Sequence, residues 1–458
     1  MGAALPRAVD CTVLERHGST QFRVGVAEMN GWRGSMEDAH VIHLQNDGGY
    51  FGILDGHGGA QCSAWCSQRL HETLHSKGLP ADDAAAKDMV LTIDQAYLDT
   101  GTPSGSTAAM CCIRTPKSPG GKYNIHVINA GDSRVLLSRA DGTMIDGGGT
   151  DGGLSTDHKP DHPDERERIY RCGGTVEIEM GNVHRVNGSL AVSRGFGDAD
   201  YKQTGGPGLE ERPVTANPEM GHFQCDGSDF LLLVCDGVSE GNFSNAEVCQ
   251  LAAKVLNETG GDAAAAAEAI CFQAVATESK DNISAMIVLL GPASSTTAIA
   301  PGKTSNFHPG CLLGIDSSEY KKAYTAMCVR GHVTFAEAVE QRYALLVNRR
   351  NSSAAEVTDE EEMSLFGNGP QGAMGSAERK SWFEDWVVNA NQEDNDDVGG
   401  GGGGGGGLGG AGGAGGGLGG LGGLASQLSG GTPQEQQMMM SMLMNMMQQR
   451  QQGGGGKQ

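Results

Sequence analysis

One pattern occurs twice in this chain, and it limits the fold more than anything else in it. Tyr50-Phe51-Gly52-Ile53-Leu54 runs into Asp55-Gly56-His57-Gly58-Gly59, and Phe230-Leu231-Leu232-Leu233-Val234-Cys235 runs into Asp236-Gly237. A short aromatic and aliphatic run bounded by a turn signal reads as a buried strand. Glycines after the carboxylate let the backbone turn tightly and lie close to a ligand. A single Asp-Gly is an ordinary turn. Two of them behind matching buried strands place two carboxylates at one sheet edge, which is how a hydrolytic two-metal centre is commonly built. Asp55 offers hard oxygens, the Gly56 carbonyl another, and His57 titrates near neutral pH.

Other chemistry-bearing residues lie in loops between β-rich runs. Arg33, Glu37 and Asp38 share one turn after a strand over 23–29, Asp132 follows a strand over 123–129, and Asp281 precedes a strand over 283–290. Helices are predicted over 59–76, where Cys62, Cys66, Leu70 and Leu74 repeat every four residues, and over 82–99. A short helix is expected over 164–171, a capping box at Ser244 and Glu247 opens another, and an alanine-rich helix spans 262–277. Strand clusters with helices inserted in pairs imply two packed sheets flanked by helices. Residues 1–22 read as a lead-in without a period, 23–292 as the main domain, 291–312 as a linker and 313–392 as a helical appendage.

Net charge is −23, which argues against a nucleic-acid protein with a broad basic surface. The 12 cysteines follow no metal-finger or disulfide spacing, so reduced thiols and a cytoplasmic or nuclear setting are expected. No apolar stretch is long enough for a membrane span. Met1-Gly2 invites myristoylation, but Pro6 stands where Ser or Thr is wanted. Residues 393–458 pass from acidic to nearly pure glycine, a flexible tether, and carry seven methionines between Met438 and Met447. That segment reads equally as an adhesive helix for a partner or as low-complexity drift.

Taken in order, the blocks resemble the type 2C metal-dependent Ser/Thr protein phosphatase family over well more than half the chain. They are Gly31-Trp32-Arg33 with Met36-Glu37-Asp38-Ala39-His40; Asp55-Gly56-His57-Gly58-Gly59; Ser104-Gly105-Ser106-Thr107; Asn129-Ala130-Gly131-Asp132; Asp157-His158-Lys159-Pro160; Leu190-Ala191-Val192-Ser193-Arg194; Asp236-Gly237; and Asp281-Asn282. The resemblance implies an α/β sandwich of two central antiparallel sheets with outer helices, here with a helical appendage and a Gly/Met-rich tail. It implies hydrolysis of phosphoserine and phosphothreonine in proteins by a water bridging two Mg2+ or Mn2+ ions. Asp55 would bridge the ions, with the Gly56 carbonyl on one and Asp236 and Asp281 on the other. Glu37 and Asp38 would act through waters, and Asp132 with Asp236 would hold a weaker third ion. Arg33 would clamp the phosphate, and His57 would protonate the leaving oxygen.

Physical chemistry agrees with that assignment. Mg2+ and Mn2+ prefer oxygen ligands, arginine's fork suits phosphate, and a poor alkoxide leaving group needs a general acid. By itself Asp132 reads more readily as a turn residue before Ser133 than as a metal ligand, and Arg33 also reads as a local partner of Glu37. Lys159 and Arg185 either face substrate or brace loops, and His43, His71 and His126 read as surface or packing residues. Val238-Ser239-Glu240 departs from the aliphatic, tryptophan and aspartate usual after Asp-Gly. The rival reading is therefore a catalytically idle scaffold that binds partners.

Overall fold

A computed structural model describes residues 5–178, 183–239, 241–291, 302–352 and 357–390. The glycine- and methionine-rich stretch over 393–458, Gly2 and Glu240 lie outside the described residues. Two antiparallel sheets carry the architecture. The first runs Gly302–His308, Val9–Gly18, Phe22–Gly31, Ile283–Leu290, Phe230–Val234 and Arg134–Ser138 in spatial order. The second runs Glu219–Cys225, Tyr123–Ala130, Ala108–Arg114, Gly48–Leu54 and Ala39–Gln45.

The inner strands are apolar on both faces because both faces are covered. Phe22, Val24 and Val26 of the first sheet meet Phe51, Ile53, Cys111 and Ile113 of the second in the central core. The alternate residues Tyr50, Leu54, Met110 and Ile128 face outward, where Cys62, Cys66, Leu70 and Leu74 of the Gln61–Lys77 helix cover them with Val90 and Ile93 of the Asp83–Leu98 helix. On the other side the Asn245–Glu258 and Ala263–Ala276 helices complete the four layers. The alanines of the latter permit a very close approach. A Cβ on Gly25 would sit 2.0 Å from the Ala264 backbone nitrogen. All 12 cysteines are free and buried, and no described helix is long and apolar enough to cross a membrane.

Two expectations are corrected by the strand order. Residues 9–18 of the expected lead-in form a central strand, Val9–Gly18. Its period is hidden because Val9, Cys11 and Val13 pack under the C-terminal helices while Leu14 joins the central core. The expected linker contains the strand Gly302–His308, whose side chains are exposed except for Phe307. A polar edge strand held by backbone pairing leaves no hydrophobic signal to read.

The C-terminal helices Ser318–Arg330, Phe335–Asn351, Val357–Ser364 and Ala377–Ala390 enclose Tyr320, Tyr324, Leu346 and Phe383 and pack on Val9, Cys11 and Val13. Thr334 and Glu337 form the capping box read from their spacing. From the first of these helices Arg330 reaches onto the first sheet and the loop that follows Phe22–Gly31. Its guanidinium donates to both Glu28 oxygens at 2.6 and 2.7 Å and to the Asp38 carbonyl at 2.7 Å. His40 bonds the same Glu28 at 2.8 Å. Burial works against ionising Glu28, but Arg330 and His40 outweigh it and hold its carboxyl at about 2.

Two expected outcomes follow from this packing. Gly25→Ala destabilises by about 1–3 kcal/mol through overpacking, read as a lower urea midpoint with an unchanged slope. Arg330→Met strands the buried Glu28 charge and costs about 3–5 kcal/mol near neutral pH. Because the folded pKa of Glu28 is depressed, its contribution is present above the unfolded value of about 4.3 and fades as pH falls toward about 2. The gap between wild type and Arg330→Met in urea midpoint therefore narrows as the pH is lowered through that window.

Candidate active site

Register places the acids. In the first sheet Ile283 pairs with Met29 and Val234 with Ala285. The end of Phe22–Gly31, the start of Ile283–Leu290, the end of Phe230–Val234 and the start of Arg134–Ser138 therefore lie along one edge. Those ends carry Arg33, Asp281, Asp236 and Asp132. In the second sheet Ala39 pairs with Leu54 and Ala108 with Ala130. This brings Asp38, Asp55 and again Asp132 to the matching end. Gly237 lets the Asp236 turn nest against the start of Ile283–Leu290: a Cβ there would lie 2.0 Å from the Asn282 carbonyl oxygen.

Electrostatics shows how tightly the acids are gathered. Burial, then Asp236, Asp38, Asp281 and Asp132, pushes the Asp55 carboxyl well above its ordinary range. Burial, then Asp132 and Asp281, raises Asp236 to about 7. Asp38 is raised by burial and by Asp281 to about 7, although Ser284 donates a 2.7 Å bond to its Oδ2. The Oδ1 atoms of Asp38 and Asp236 are buried with no hydrogen-bond partner. Two orphaned carboxylate oxygens within a hard-oxygen donor set fit divalent cations of the Mg2+ or Mn2+ kind.

The remaining expected site residues surround this group. Glu37 accepts from Ser35 Oγ at 2.9 Å and from the Gly59 amide at 3.2 Å. Arg33 pairs with Asp281, not with Glu37, and its side chain is 56% exposed. Asp132 is buried and bonded to Lys159 Nζ. Lys159 therefore faces the acids, whereas Arg185 braces its own loop by donating to the Ser189 carbonyl at 2.7 Å. Ser239 ends the short Asp236–Ser239 helix, and its hydroxyl donates to the Asp236 carbonyl at 3.3 Å.

Two residues at the site had no role assigned from sequence. Asp198 lies 2.9 Å from His57 Nε2 through both carboxylate oxygens. A small sheet makes the pairing: Phe196–Gly197 pairs with Gly105–Ser106, which pairs with Gly56–His57. Gly105 leaves room for the acid, since a Cβ there would fall 2.3 Å from the Asp198 carboxyl. Burial lowers the His57 pKa, but Asp198, with smaller contributions from Asp132 and Glu37, outweighs it and the net shift is upward. The second is Asn282. Its Nδ2 donates to the Asn30 and Ser35 carbonyls at 2.8 and 2.9 Å, and its Oδ1 accepts from the Glu37 amide at 2.9 Å. It thereby staples the Arg33–Glu37 loop to Asp281. The acidic residue after Gly197 was the available signal for Asp198, but nothing local tied it to a histidine 141 positions away.

Known proteins resemble this chain in sequence and fold. The family model for Protein phosphatase 2C matches residues 22–283. Bovine Protein phosphatase 1B is 32% identical over 320 residues, covering 63% of this chain and 61% of the relative. The chain thus spans about three fifths of that relative's length. Mouse Protein phosphatase 1A is 33% identical over 334 residues, covering 66% of this chain and 80% of the relative. Among solved structures, a phosphatase from a pathogenic strain of Toxoplasma gondii superposes with a TM-score of 0.56 at 27% identity, covering 65% of this chain and 100% of that one. With more than half of its residues matched by the family model and these sheets and helices in place, the chain belongs to the protein phosphatase 2C family.

Proposed function

We propose that the chain is a metal-dependent protein Ser/Thr phosphatase that hydrolyses phosphoserine and phosphothreonine by direct attack of water. The observation that carries this reading is the convergence of Asp38, Asp55, Asp236 and Asp281, two of them with buried unpartnered oxygens, beside an exposed arginine and a histidine–aspartate pair. Asp55 and the Gly56 carbonyl, with Asp236 and Asp281, would hold two Mg2+ or Mn2+ ions. Glu37 and Asp38 support them through waters, and Asp132 with Asp236 offers a weaker third position. Bound cations supply charge neutralisation for the phosphoryl oxygens and a more acidic attacking water.

The chain's own residues do the rest. Arg33 is exposed enough to turn from Asp281 to a substrate phosphate and grip two of its oxygens. His57, whose hold on its proton Asp198 strengthens, hands that proton to the departing seryl or threonyl oxygen. Asp198 does not touch substrate; it orients the imidazole and stabilises its charge. Asn282 fixes the loop that aims Arg33.

Release of phosphate from a phosphothreonine peptide should require Mn2+ or Mg2+ and cease in excess EDTA; full activity in EDTA would overturn the reading. Asp236→Asn should weaken Mn2+ binding in calorimetry. His57→Ala should leave Mn2+ affinity nearly intact while lowering turnover on the peptide by about 10²–10⁴. A His57→Ala protein that no longer bound the metal would make His57 a ligand instead.

Asp198→Asn separates positioning from packing. It should slow the phosphothreonine peptide at least tenfold yet barely affect p-nitrophenyl phosphate, whose leaving group needs little protonation. Equal losses on both substrates would reduce Asp198 to a structural residue.

A further inference from the structure

The sequence left His126 as a surface or packing residue because no acid stands near it in the chain. The fold supplies one. His126 and His222 are directly opposite each other on the antiparallel strands Tyr123–Ala130 and Glu219–Cys225, so both rings project from one face. The rings stack with centroids 4.5 Å apart and planes within 15°. Onto that face comes the start of the Asp83–Leu98 helix, where Asp82 is occupied as the cap, accepting from the Ala85 amide at 2.9 Å. Asp83 is left to reach sideways. Its Oδ1 lies 2.7 Å from His222 Nε2 and 3.0 Å from His126 Nε2.

These contacts leave one donor atom unsatisfied. His222 has hydrogen-bonding geometry to Asp83, whereas His126 Nε2 is buried and makes no hydrogen bond. Burial, then the neighbouring His222, lowers the His126 pKa despite Asp83 and Asp82. The neutral imidazole is the ligating form. Donor atoms from Asp83, His126 and His222 all lie within 4.8 Å of one another. A tetrahedral ion with bonds of about 2.0–2.2 Å needs donors roughly 3.3 Å apart. The 2.7 and 3.0 Å separations would open toward that value, and the stacked rings would turn out of their near-parallel planes so that both Nε2 lone pairs meet at the ion. Beside the histidines a cavity of about 320 Å³, lined in part by Asp82, Asn124 and Gln224, gives water access to the remaining coordination position. The nearby Arg114 is engaged with Asp47 at 3.0 Å and with the Leu79 and Pro80 carbonyls.

We propose that Asp83, His126 and His222 form a second metal site, separate from the acidic centre, that takes a borderline divalent transition ion such as Zn2+. Two imidazoles and one carboxylate select Zn2+, Co2+ or Ni2+ over Mg2+, which prefers an all-oxygen shell. The ion would join three elements distant in sequence that no disulfide connects: the outer strand Glu219–Cys225, its neighbour, and the start of a helix. It would act as a clamp on that corner of the second sheet.

The test uses the full chain in saturating Mg2+, which occupies the acidic centre and competes poorly for imidazole. Titration with Co2+ should give visible absorption of the intensity of a four- or five-coordinate, nitrogen-ligated ion, saturating at one equivalent and abolished by Zn2+. His222→Gln, at a side chain 62% exposed, should fold and should weaken Co2+ binding at least tenfold. Asp83→Asn should do likewise, and neither should change Mg2+-supported phosphatase activity. Absence of the bands, or loss of less than tenfold in His222→Gln, overturns the proposal. A protein that gave the bands but no phosphatase activity would leave this site standing while removing the proposed reaction.

Discussion

Mutual repulsion among buried carboxylates is the constraint around which this fold is arranged. Asp38, Asp55, Asp132, Asp236 and Asp281 come from five separate strand ends, and their proximity adds to burial in raising the proton affinity of Asp38, Asp55 and Asp236. No helix or local turn would gather them, because nearby chain would relax away from such a cluster. Only two sheets, each fixed in register by a continuous apolar core, can hold strand ends together against that force. The four-layer build is thus what the chemistry requires: rigid scaffolding behind, uncompensated charge in front. Stability is given up at the site and recovered in the cores.

Legibility in the sequence followed the same division. The strands that end in Asp55 and Asp236 were visible because they are short, apolar and stopped by Asp-Gly. Ile283–Leu290 was readable to the residue because it is central and apolar on both faces. Val9–Gly18 was missed because its two faces join different cores, and Gly302–His308 because its side chains are polar and its backbone does the binding. At the site, residues inside glycine-flanked blocks could be found by grammar. Asp198 and the Asp83–His126–His222 group could not, since each depends on pairing between strands or elements distant in sequence.

Arg330 gives the appended helices a place in this argument. Its bonds to Glu28 and to the Asp38 carbonyl tie the Ser318–Arg330 helix to the backbone that carries one of the acids. Glu28 in turn bonds His40, two residues beyond Asp38. The loop bearing Glu37 and Asp38 is therefore gripped from both sides, by Asn282 from the last core strand and by Arg330 from beyond the family-matched region. A feature outside the shared family segment thus helps set the position of an acid inside it.

The position of Val9–Gly18 also has a bearing on how the protein is made. This strand is synthesised well before its outer neighbour, Gly302–His308, which follows roughly 280 residues later. At about 5–20 residues per second, its outer edge stands open for roughly 15 to 60 s of synthesis. The apolar side of the same strand, with Val9, Cys11 and Val13, waits longer still for Tyr320 and Tyr324. An open edge beside an uncovered apolar face is the arrangement most prone to pair with another chain. Every nascent molecule passes through that interval before its sheet is closed.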